Sequence, residues 1–470
     1  MLLRRLYHDR LAQAGYLIAC QGSKEALVVD PLRDPAPYLE AARQEGVTIT
    51  AVTETHIHAD FLSGAASLAA AAGARLLLSG EGSGAAGYDC SAFRSAHRLR
   101  DGDRLQFGKV RLDVMHVPGH TPEHLALLVT DTAADSAPMG MLSGDFLFVG
   151  DVGRPDLLER AAGLQGTMAE SARQLYASLQ RLASLPDYLQ IWPGHGAGSA
   201  CGKALGAVPQ STLGYERRTN WALGVASEEE FVARVLAGQP EPPAYFARMK
   251  QLNAAGVSEA PSPQFAREER LREAIAGGAL VVDVRAATEF AAGHLGGSIN
   301  VPLGNSFLGW AGSVVPPDRD VVLVASPALR ASVERAMREL GLIGLDRTLG
   351  VLAPERLAPA EAGALETLPS IPASALAQES RRGATVLDVR NRSEWEEGHV
   401  PGARLVPLPE LSARLEELRG AGPIAVHCQG GSRSAVAASV LRAAGFVDVT
   451  NVEGGFAAWL RAGNTPAIGA

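Results

Sequence analysis

The chain is poor in cysteine. Only four cysteines occur among its 470 residues, namely Cys20, Cys90, Cys201 and Cys428. They lie far apart and form no CxxC pair, so the sequence predicts neither a disulfide framework nor a zinc ribbon. This pattern is typical of a reducing compartment, and we expect a cytoplasmic location.

The chain also lacks long apolar runs and an excess of positive charge. No run approaches the about 18 apolar residues of a membrane span. The N-terminal residues lack the apolar segment and small-residue cleavage site of a signal peptide. The formal net charge is −8, whereas nucleic-acid binders usually present a basic face. We therefore expect no nucleic-acid partner and no membrane association.

The length predicts about three domains, because one hydrophobic core rarely serves so long a chain. Up to about residue 255, short apolar runs bounded by Gly, Pro, Asp and Ser alternate with loops and helices. Nearly every histidine and aspartate of interest directly follows one of these predicted strands. Residues 168–185 carry leucines at helical spacing. The pattern predicts an α/β multidomain protein.

The remainder of the chain contains a repeat. Residues 279–304 match residues 384–409, with five identical pairs at a constant offset of 105. The pairs are Asp283/Asp388, Arg285/Arg390, Glu289/Glu394, His294/His399 and Pro302/Pro407. Proline-bearing stretches precede each copy and are predicted to be linkers. We therefore predict domains at 1–255, 262–360 and 368–470.

Four fragments of the first domain concentrate metal-binding side chains. In chain order they are "THIHAD" (55–60), "PGHTPEH" (118–124), "SGDFLFVGDVGRPD" (143–156) and "PGH" (193–195). Imidazole nitrogens and carboxylate oxygens are ligands of borderline divalent metals, and loops at strand ends can bring them to one ion. The fragments predict a metal site.

Together these fragments resemble the metallo-β-lactamase fold, closest to its glyoxalase II and persulfide dioxygenase branch. The resemblance implies an αββα sandwich for the first domain. In dinuclear hydrolases of this fold, a motif THxHxDH ends in a histidine that binds the second metal. Phe61 occupies that position here and cannot donate an electron pair to a metal. The resemblance therefore implies a single ion.

Persulfide dioxygenases of this fold hold one Fe(II) with two histidines and one aspartate. By motif position, these ligands are His56, His120 and Asp145. Such a set leaves coordination positions open, as in non-haem Fe(II) oxygenases. The other motif residues become groups that orient ligands or bound water. They are His58, Asp60 and His195.

Two interpretations remain open for each of two further residues in these fragments. Arg154 in "GRPD" resembles an arginine that holds the carboxylate of a thiol carrier. Alternatively, Arg154 and Asp156 brace a turn. His124 either contributes to the metal site or only pins its loop.

A second constellation lies in "IAVHCQGGSRSAVAASVLRAAGF" (424–446). It predicts a strand, a glycine-rich loop that starts at Cys428 and ends at Arg433, and a helix. Inward-pointing N–H groups and the positive end of the helix stabilise anionic sulfur, so Cys428 is a predicted nucleophile and Arg433 a predicted catalytic residue. The loop resembles that of a rhodanese. Its predicted substrate-binding residues are Gln429, Gly430, Gly431 and Ser432.

Cysteine phosphatases have five residues between Cys and Arg, whereas this loop has four, which favours sulfur over phosphate transfer. The first copy places Ala325 opposite Cys428, and Pro327 removes an N–H group from its loop. We therefore predict an inactive rhodanese-like domain at 262–360 and a catalytic one at 368–470. Because both copies retain the paired histidine, His294 and His399 are predicted to be structural.

The three-part order resembles fused persulfide dioxygenase–sulfurtransferases. The resemblance implies one Fe(II) per chain, which oxidises a glutathione- or coenzyme A-type persulfide with O2 to sulfite. Cys428 then passes sulfur to sulfite and yields thiosulfate. Relatives of this kind commonly associate, so a homodimer or homotetramer is expected. Cys201, six residues after His195, is either a sulfur relay near the metal or an incidental loop cysteine.

Two other functions remain open. A Zn-dependent thioester hydrolase of glyoxalase II type would use a metal-bound hydroxide, with the rhodanese domains as appendages. A sulfur carrier or sensor would shuttle persulfide on Cys428 and Cys201 without turnover at the metal.

Overall fold

The computed structural model describes residues 1–82, 87–160, 166–257, 265–356 and 365–469. The chain forms two compact units, Met1–Ala260 and Pro261–Ala470. Residues 258–264 and 357–364 lie outside the described residues. The first range overlaps the predicted boundary near residues 255–262, and the second is part of the predicted linker before the second repeat. Both repeat copies lie within the second compact unit.

The first unit contains two six-stranded sheets. The strand order is β1-β2-β3-β4-β5-β6 in one sheet and β12-β11-β10-β9-β8-β7 in the other. The strands are β1 (Leu2–His8), β2 (Gln13–Ala19), β3 (Glu25–Val29), β4 (Thr48–Thr53), β5 (Arg75–Ser79), β6 (His97–Leu99), β7 (Arg104–Phe107), β8 (Val110–His116), β9 (Leu125–Asp131), β10 (Gly140–Gly144), β11 (Gln190–Pro193) and β12 (Ser211–Thr212).

The first unit also contains helices, some of which pack on the outer faces of the sheets. They are α1 (Ala36–Glu45), α2 (Ala65–Ala72), α3 (Leu157–Arg160), α4 (Met168–Gln180), α5 (Leu213–Thr219), α6 (Glu228–Leu236) and α7 (Phe246–Ala255). Over the described parts of the whole chain, no helix combines the length and the apolar character needed to cross a membrane.

Three layers of apolar contact hold this unit together. The central layer lies between the sheets and includes Ile18 and Leu27 from one sheet and Leu112 and Leu127 from the other. A second cluster joins α1 and α2 to the first sheet, and a third joins α4 and α6 to the second sheet. Since β2 and β3 are apolar on both faces, their sheet is covered from both sides. The predicted αββα sandwich is therefore confirmed.

The second unit contains two parallel sheets, with strand orders β14-β13-β15-β16 and β17-β21-β20-β18-β19. Its strands are β13 (Leu280–Asp283), β14 (Ile299–Asn300), β15 (Val321–Val324), β16 (Thr348–Leu352), β17 (Ser370–Pro372), β18 (Thr385–Asp388), β19 (Arg404–Leu405), β20 (Ile424–His427) and β21 (Val449–Glu453). Its helices are α8 (Glu268–Ala276), α9 (Ala287–Ala292), α10 (Phe307–Val314), α11 (Arg330–Leu342), α12 (Leu376–Arg381), α13 (Arg392–Glu397), α14 (Leu408–Leu411), α15 (Ser432–Ala443) and α16 (Gly455–Arg461).

The paired histidines of the two repeats make equivalent contacts. His294 Nδ1 lies 2.9 Å from the Phe290 carbonyl oxygen, and the two rings stack with centroids 3.8 Å apart. His399 Nδ1 lies 3.1 Å from the Trp395 carbonyl oxygen, and those rings stack at 3.6 Å. These contacts support the predicted structural role, because each histidine ties together one turn of its own repeat.

The central layer of the first unit leads to a stability prediction. Leu112 on β8 is fully buried between the sheets. Leu112→Ala leaves a cavity there, and we expect it to lower the free energy of unfolding by about 2–5 kcal/mol. Denaturant unfolding measures this loss. Leu39→Ala on α1 is the matched control, because Leu39 is 36% exposed. Equal effects of the two substitutions would contradict the buried sandwich.

Candidate metal centre and cysteine loop

The predicted metal-binding motifs meet where strands of both sheets end. His56 follows β4, Asp145 follows β10 and His195 follows β11, whereas His120 lies between β8 and β9. β4 runs parallel to β3 and β5, and β10 runs parallel to β11, so the carboxyl ends of these strands point the same way within each sheet. This arrangement brings residues that are far apart in the sequence to one place.

The three predicted ligands form one buried cluster. His56 Nε2 lies 3.9 Å from Asp145 Oδ2, and His120 Nε2 lies 3.6 Å from the same oxygen. One ligand atom from each of the three residues lies within 4.8 Å of the other two. All three side chains are buried, so each would present its ligand atom with little competition from water.

Hydrogen bonds on the far side of each ring fix which nitrogen faces the cluster. His120 Nδ1 lies 3.1 Å from the Arg154 carbonyl oxygen, which can only accept, so Nδ1 carries the proton. Thr55 Oγ1 donates to Asp30 Oδ2 at 2.9 Å and therefore accepts from His56 Nδ1, also at 2.9 Å. Both rings thus turn an unprotonated Nε2 towards Asp145. Such outer contacts are typical of metal-binding histidines.

The electrostatics of the cluster keep both imidazoles neutral. Burial, with smaller effects from neighbouring cationic groups, lowers the pKa of His120 to about 3 and holds the pKa of His56 well below its usual value. Burial also raises the pKa of Asp145 to about 6, against the opposing effect of His195. Metal ligands must be deprotonated, so at neutral pH this set is ready to bind a cation.

His58 and His124 support the cluster in different ways. His58 Nε2 lies 3.1 Å from Asp30 Oδ1. Burial acts to lower the pKa of His58, but Asp30 and nearby carboxylates outweigh it and raise the pKa to about 9, so the ring stays charged. His124 Nε2 accepts the backbone N–H of Asp145 at 3.0 Å. The structure thus supports the loop-pinning alternative for His124.

A second cluster adjoins the first. Asp60, His195 and Cys201 each offer a ligand atom within 4.8 Å of the other two. His195 Nε2 lies 3.4 Å from Asp60 Oδ2 and 3.5 Å from Asp145 Oδ2. Burial, with the nearby carboxylates, raises the pKa of the Cys201 thiol well above its usual value. Cys201 therefore lies beside the predicted metal-binding aspartate and is no surface loop cysteine.

In the second unit, the cysteine loop directly follows β20. The buried Cys428 Sγ accepts the backbone N–H of Gly431 at 3.1 Å, and α15 begins at Ser432. Gly431 has φ +102°, a left-handed conformation that favours glycine and turns the chain into the helix. Gln429, Gly430 and Ser432 are exposed, so the loop is open to solvent beside the buried sulfur.

Arg433 at the end of the loop is paired. Its two terminal nitrogens donate to the carboxylate of Glu394 at 2.6 and 2.7 Å. This bidentate pair ties α15 to α13, and the catalytic role of Arg433 stays a prediction. In the first repeat, Ala325 follows β15 at the position equivalent to Cys428 and is buried. The first repeat therefore has the framework without the thiol.

Comparisons with known proteins match this architecture. A family model described as the metallo-beta-lactamase superfamily matches residues 8–195, and a rhodanese-like domain model matches residues 268–349 and 372–462. The crystal structure of a metallo-beta-lactamase from Staphylococcus aureus subsp. aureus COL is 39% identical, with a TM-score of 0.67, and the match covers 75% of this chain and 99% of that one. The chain belongs to the metallo-beta-lactamase superfamily. It carries an N-terminal metallo-beta-lactamase domain followed by two rhodanese-like domains.

Curated relatives match single parts of this superfamily member. A hydroxyacylglutathione hydrolase from Polaromonas sp. is 35% identical over 182 residues, which are 38% of this chain and 60% of that protein. The uncharacterized protein YqhL from Bacillus subtilis is 42% identical over 78 residues, which are 17% of this chain and 62% of YqhL. The chain thus spans less than two thirds of the length of these relatives.

The metallo-beta-lactamase fold binds metal ions, and the chemistry of this site fits one. Within the described residues, neither carboxylate oxygen of Asp145 has a hydrogen-bond partner although both are buried. A buried, unpaired carboxylate is costly unless a cation or a proton compensates it. Gly153 and Gly194 leave room around it, because a Cβ would lie 1.8 Å from the Asp145 carbonyl oxygen in one case and 2.7 Å from Oδ1 in the other.

The contacts of Arg154 favour the bracing alternative. Its side chain is fully buried, and Nε and Nη2 donate to the two oxygens of Asp156 at 3.0 and 2.7 Å. Its remaining bonds are to the carbonyl oxygens of Ala200 at 3.1 Å and Pro240 at 2.6 Å. These contacts support bracing, and a contact of Arg154 with substrate stays a prediction. Residue spacing alone does not distinguish a brace from a substrate contact.

Asn253 on α7 is a supporting residue that sequence reasoning missed. Its Nδ2 donates to the carbonyl oxygens of His58 at 2.8 Å and Phe61 at 2.7 Å, and its Oδ1 accepts the Ser63 N–H at 2.9 Å. One buried amide thus holds three backbone groups of the loop that carries His56. No local signal could have identified it, because it lies more than 190 residues away in sequence from that loop.

The same helix places a buried cation near the cluster. Lys250 lies one turn before Asn253, and its charge contributes to the low pKa values of His56 and His120. Burial lowers the pKa of Lys250 itself, against the opposing effect of Glu123. Positive charge beside the site favours anionic substrates.

The hydrogen bonds of the Asn253 side-chain amide lead to a testable prediction. Asn253→Asp keeps the size and the acceptor but turns two donors into a carboxylate that faces two carbonyl oxygens. We expect metal affinity to fall roughly 10–100-fold, as is usual when outer contacts of a metal site are lost. Metal titration of the apo-protein measures the change. Gln251→Ala on the exposed face of α7 is the control, and unchanged affinity in Asn253→Asp would contradict the positioning role.

Proposed function

We propose that this protein is a non-haem Fe(II) persulfide dioxygenase coupled to a rhodanese sulfurtransferase. The observation that carries the proposal is the residue at position 61. Phe61 is fully buried and packs against the ring of His58, with centroids 4.3 Å apart, where a dinuclear hydrolase would have a histidine ligand. The cluster of His56, His120 and Asp145 is then a two-histidine, one-carboxylate set with open positions, typical of non-haem iron oxygenases.

The first stage oxidises the terminal sulfur of a thiol persulfide. The balanced reaction is RSS⁻ + O2 + H2O → RS⁻ + SO3²⁻ + 2H⁺. Bound Fe(II) would supply the oxygen chemistry, with His56 Nε2, His120 Nε2 and Asp145 as its protein ligands. Beside the ion, the charged His58 ring and the buried Lys250 add positive charge that offsets part of the carboxylate charge and would attract an anionic persulfide.

The second stage transfers sulfur at Cys428. A second persulfide first charges Cys428 and releases its thiolate: Cys428–S⁻ + RSS⁻ → Cys428–S–S⁻ + RS⁻. Sulfite then attacks the outer sulfur: Cys428–S–S⁻ + SO3²⁻ → Cys428–S⁻ + S2O3²⁻. The S–S bond to the enzyme breaks and its electrons stay on the Cys428 sulfur. The Gly431 N–H, which already donates to that sulfur, and the N-terminus of α15 stabilise the negative charge. The carrier thiol would be of glutathione or coenzyme A type, and the assembly a dimer or tetramer.

A second candidate function rests on a specific observation. The matched curated relatives include hydroxyacylglutathione hydrolases. Asp60 and His195, which would serve a second zinc ion in such enzymes, are both present and buried. A zinc-dependent thioester hydrolase, in which a zinc-bound water attacks the thioester carbonyl, is therefore the alternative.

The dioxygenase proposal predicts oxygen consumption. Fe(II)-loaded protein should consume one O2 for each sulfite formed from glutathione persulfide or coenzyme A persulfide. His120→Ala should abolish this uptake, because it removes one of the three ligands. The exposed His97 provides the matched control, and His97→Ala should retain full activity.

A lack of oxygen uptake would contradict the dioxygenase proposal. If Fe(II)-loaded protein takes up no oxygen with either persulfide, and the zinc-loaded protein hydrolyses S-lactoylglutathione, the dioxygenase assignment is overturned and the hydrolase replaces it.

The coupling of the two stages gives a separate prediction. Cys428→Ser should leave oxygen uptake unchanged and should make sulfite accumulate in place of thiosulfate, because serine cannot carry a persulfide. Cys90→Ser removes an exposed cysteine and should leave both products unchanged. Undiminished thiosulfate formation by Cys428→Ser would remove the second stage from the proposal.

A further inference from the structure

The cysteine loop of the second repeat is held from outside by the helix that follows β21. The Phe456 N–H donates to the Cys428 carbonyl oxygen at 2.7 Å. The Ala457 N–H donates to the Gln429 carbonyl oxygen at 3.0 Å. Both donors lie in the first turn of α16, where N–H groups have no partner within their own helix. The first two carbonyl groups of the loop are therefore fixed by another element of the same repeat.

Gly455 allows the first turn of α16 to approach the loop this closely. It has φ +52°, and a Cβ atom there would lie 2.1 Å from the Cys428 carbonyl oxygen and 3.0 Å from the Gln429 carbonyl carbon. Both neighbours are backbone atoms of the loop, so they cannot move aside as the end of a flexible side chain would. With the loop in its present shape, only glycine fits at this position.

The direction of the two carbonyl groups matters for the sulfur. The C=O and N–H groups of a trans peptide point in opposite directions. Since both carbonyl oxygens are bonded to α16, the N–H groups of Gln429 and Gly430 point away from that helix. A carbonyl oxygen turned towards an anionic sulfur would repel it, whereas an N–H group stabilises it.

We propose that Gly455 is a positioning residue for Cys428, because it lets α16 hold the loop with its N–H groups, and not its carbonyl oxygens, towards the sulfur. This role rests on the sulfur transfer proposed above, since Cys428 must carry an anionic persulfide for the N–H groups to matter in turnover.

Further contacts fix α16 to the loop. The Phe456 ring is buried, and the guanidinium carbon of Arg390 lies 4.0 Å from its centroid. Arg390 Nη1 also donates to the side-chain oxygen of Gln429 at 3.3 Å. At the other end of the loop, a Cβ atom on Gly431 would lie 3.3 Å from the backbone nitrogen of Gly454. The start of α16 is thus in contact with both ends of the loop.

Strand register identifies the equivalent position in the first repeat. Leu323 on β15 and Val426 on β20 each lie two residues before the first residue of their loop. Leu323 pairs with Val351 on β16, and Val426 pairs with Asn451 on β21. Val351 and Asn451 therefore hold equivalent positions, and Gly455 lies four residues after Asn451.

The first repeat has no glycine at this position. Glu355 occupies it, and Pro354, which has no N–H group, precedes it. The N–H of the next residue, Arg356, donates to the Ala353 carbonyl oxygen at 2.9 Å, within its own turn. The repeat without the thiol thus also lacks the glycine, so Gly455 serves the cysteine loop and is not needed for the fold that both repeats share.

The test compares Gly455→Ala with Gly463→Ala in the full-length protein. Gly463 has φ +85° and open space at its Cβ position, so its substitution strains the backbone in the same way without touching the loop. One measured rate is thiosulfate formation from glutathione persulfide and sulfite. The other is alkylation of Cys428 by iodoacetamide, followed by mass spectrometry of the peptide that contains it.

We expect both rates to fall at least about tenfold in Gly455→Ala, because N–H donors that face the charged sulfur are turned away. Both rates should stay near the wild-type values in Gly463→Ala. Oxygen uptake by the Fe(II)-loaded protein should be the same in the two variants, since neither substitution lies in the first unit.

A second variant separates positioning from misfolding. Ala457→Pro removes the N–H that holds the Gln429 carbonyl oxygen but no hydrogen bond within α16, and the first turn of a helix tolerates proline. It should lower both rates in the same direction as Gly455→Ala, and it decides the question if thermal unfolding shows that Gly455→Ala is not folded.

Rates in a folded Gly455→Ala or Ala457→Pro protein that equal those of Gly463→Ala would overturn the positioning role. A wild-type protein that forms no thiosulfate would remove the second stage of the proposed function. The alkylation rate of Cys428 would still decide the role of Gly455 in that case, because it requires no sulfur transfer.

Discussion

The buried carboxylate of Asp145 constrains the rest of the first unit. Neither of its oxygens has a hydrogen-bond partner among the described residues. The backbone N–H of Asp145 donates to His124, and the space around the residue admits only glycine at positions 153 and 194. A charge in this position is stable only with a compensating cation or proton. The sandwich supplies the framework, since strand ends from both sheets bring His56 and His120 within 4 Å of this carboxylate.

The metal motifs could be predicted from the sequence because each one directly follows a strand and keeps its residues within a few positions of one another. The supports could not, since they depend on tertiary contacts. Asn253 reaches the metal loop from a helix about 190 residues away, and Asp30 holds both Thr55 and His58 from the end of β3. For Arg154, spacing allowed two interpretations, and its complete burial beside Asp156 favours bracing.

The two rhodanese-like repeats separate the residues that maintain the fold from those that do chemistry. Asp283 pairs with Arg285 as Asp388 pairs with Arg390, in both cases with the bidentate contact that follows the first strand of the repeat. Such pairs are needed in both copies because they fix the strand end that supports the loop. The thiol of the cysteine loop makes no such structural contact, and the first repeat keeps the same framework with Ala325 in place of the cysteine. The constant offset between the two copies therefore indicates their shared fold, and the cysteine loop, which differs between them, indicates where the chemistry lies.

The two buried cysteines of the candidate sites lie in opposite electrostatic surroundings. In the rhodanese-like domain, the Gly431 N–H and the first turn of α15 act on the sulfur as fixed dipoles, which need no cofactor but supply only partial charges. In the metallo-beta-lactamase domain, the Cys201 thiol is buried among carboxylates, where a thiolate without a cation would be strongly disfavoured. A fixed dipole suits a sulfur that must accept and release a group repeatedly. The carboxylates near Cys201 instead disfavour a charge on its sulfur, so the two cysteines of similar burial differ in the sign of the charge around them.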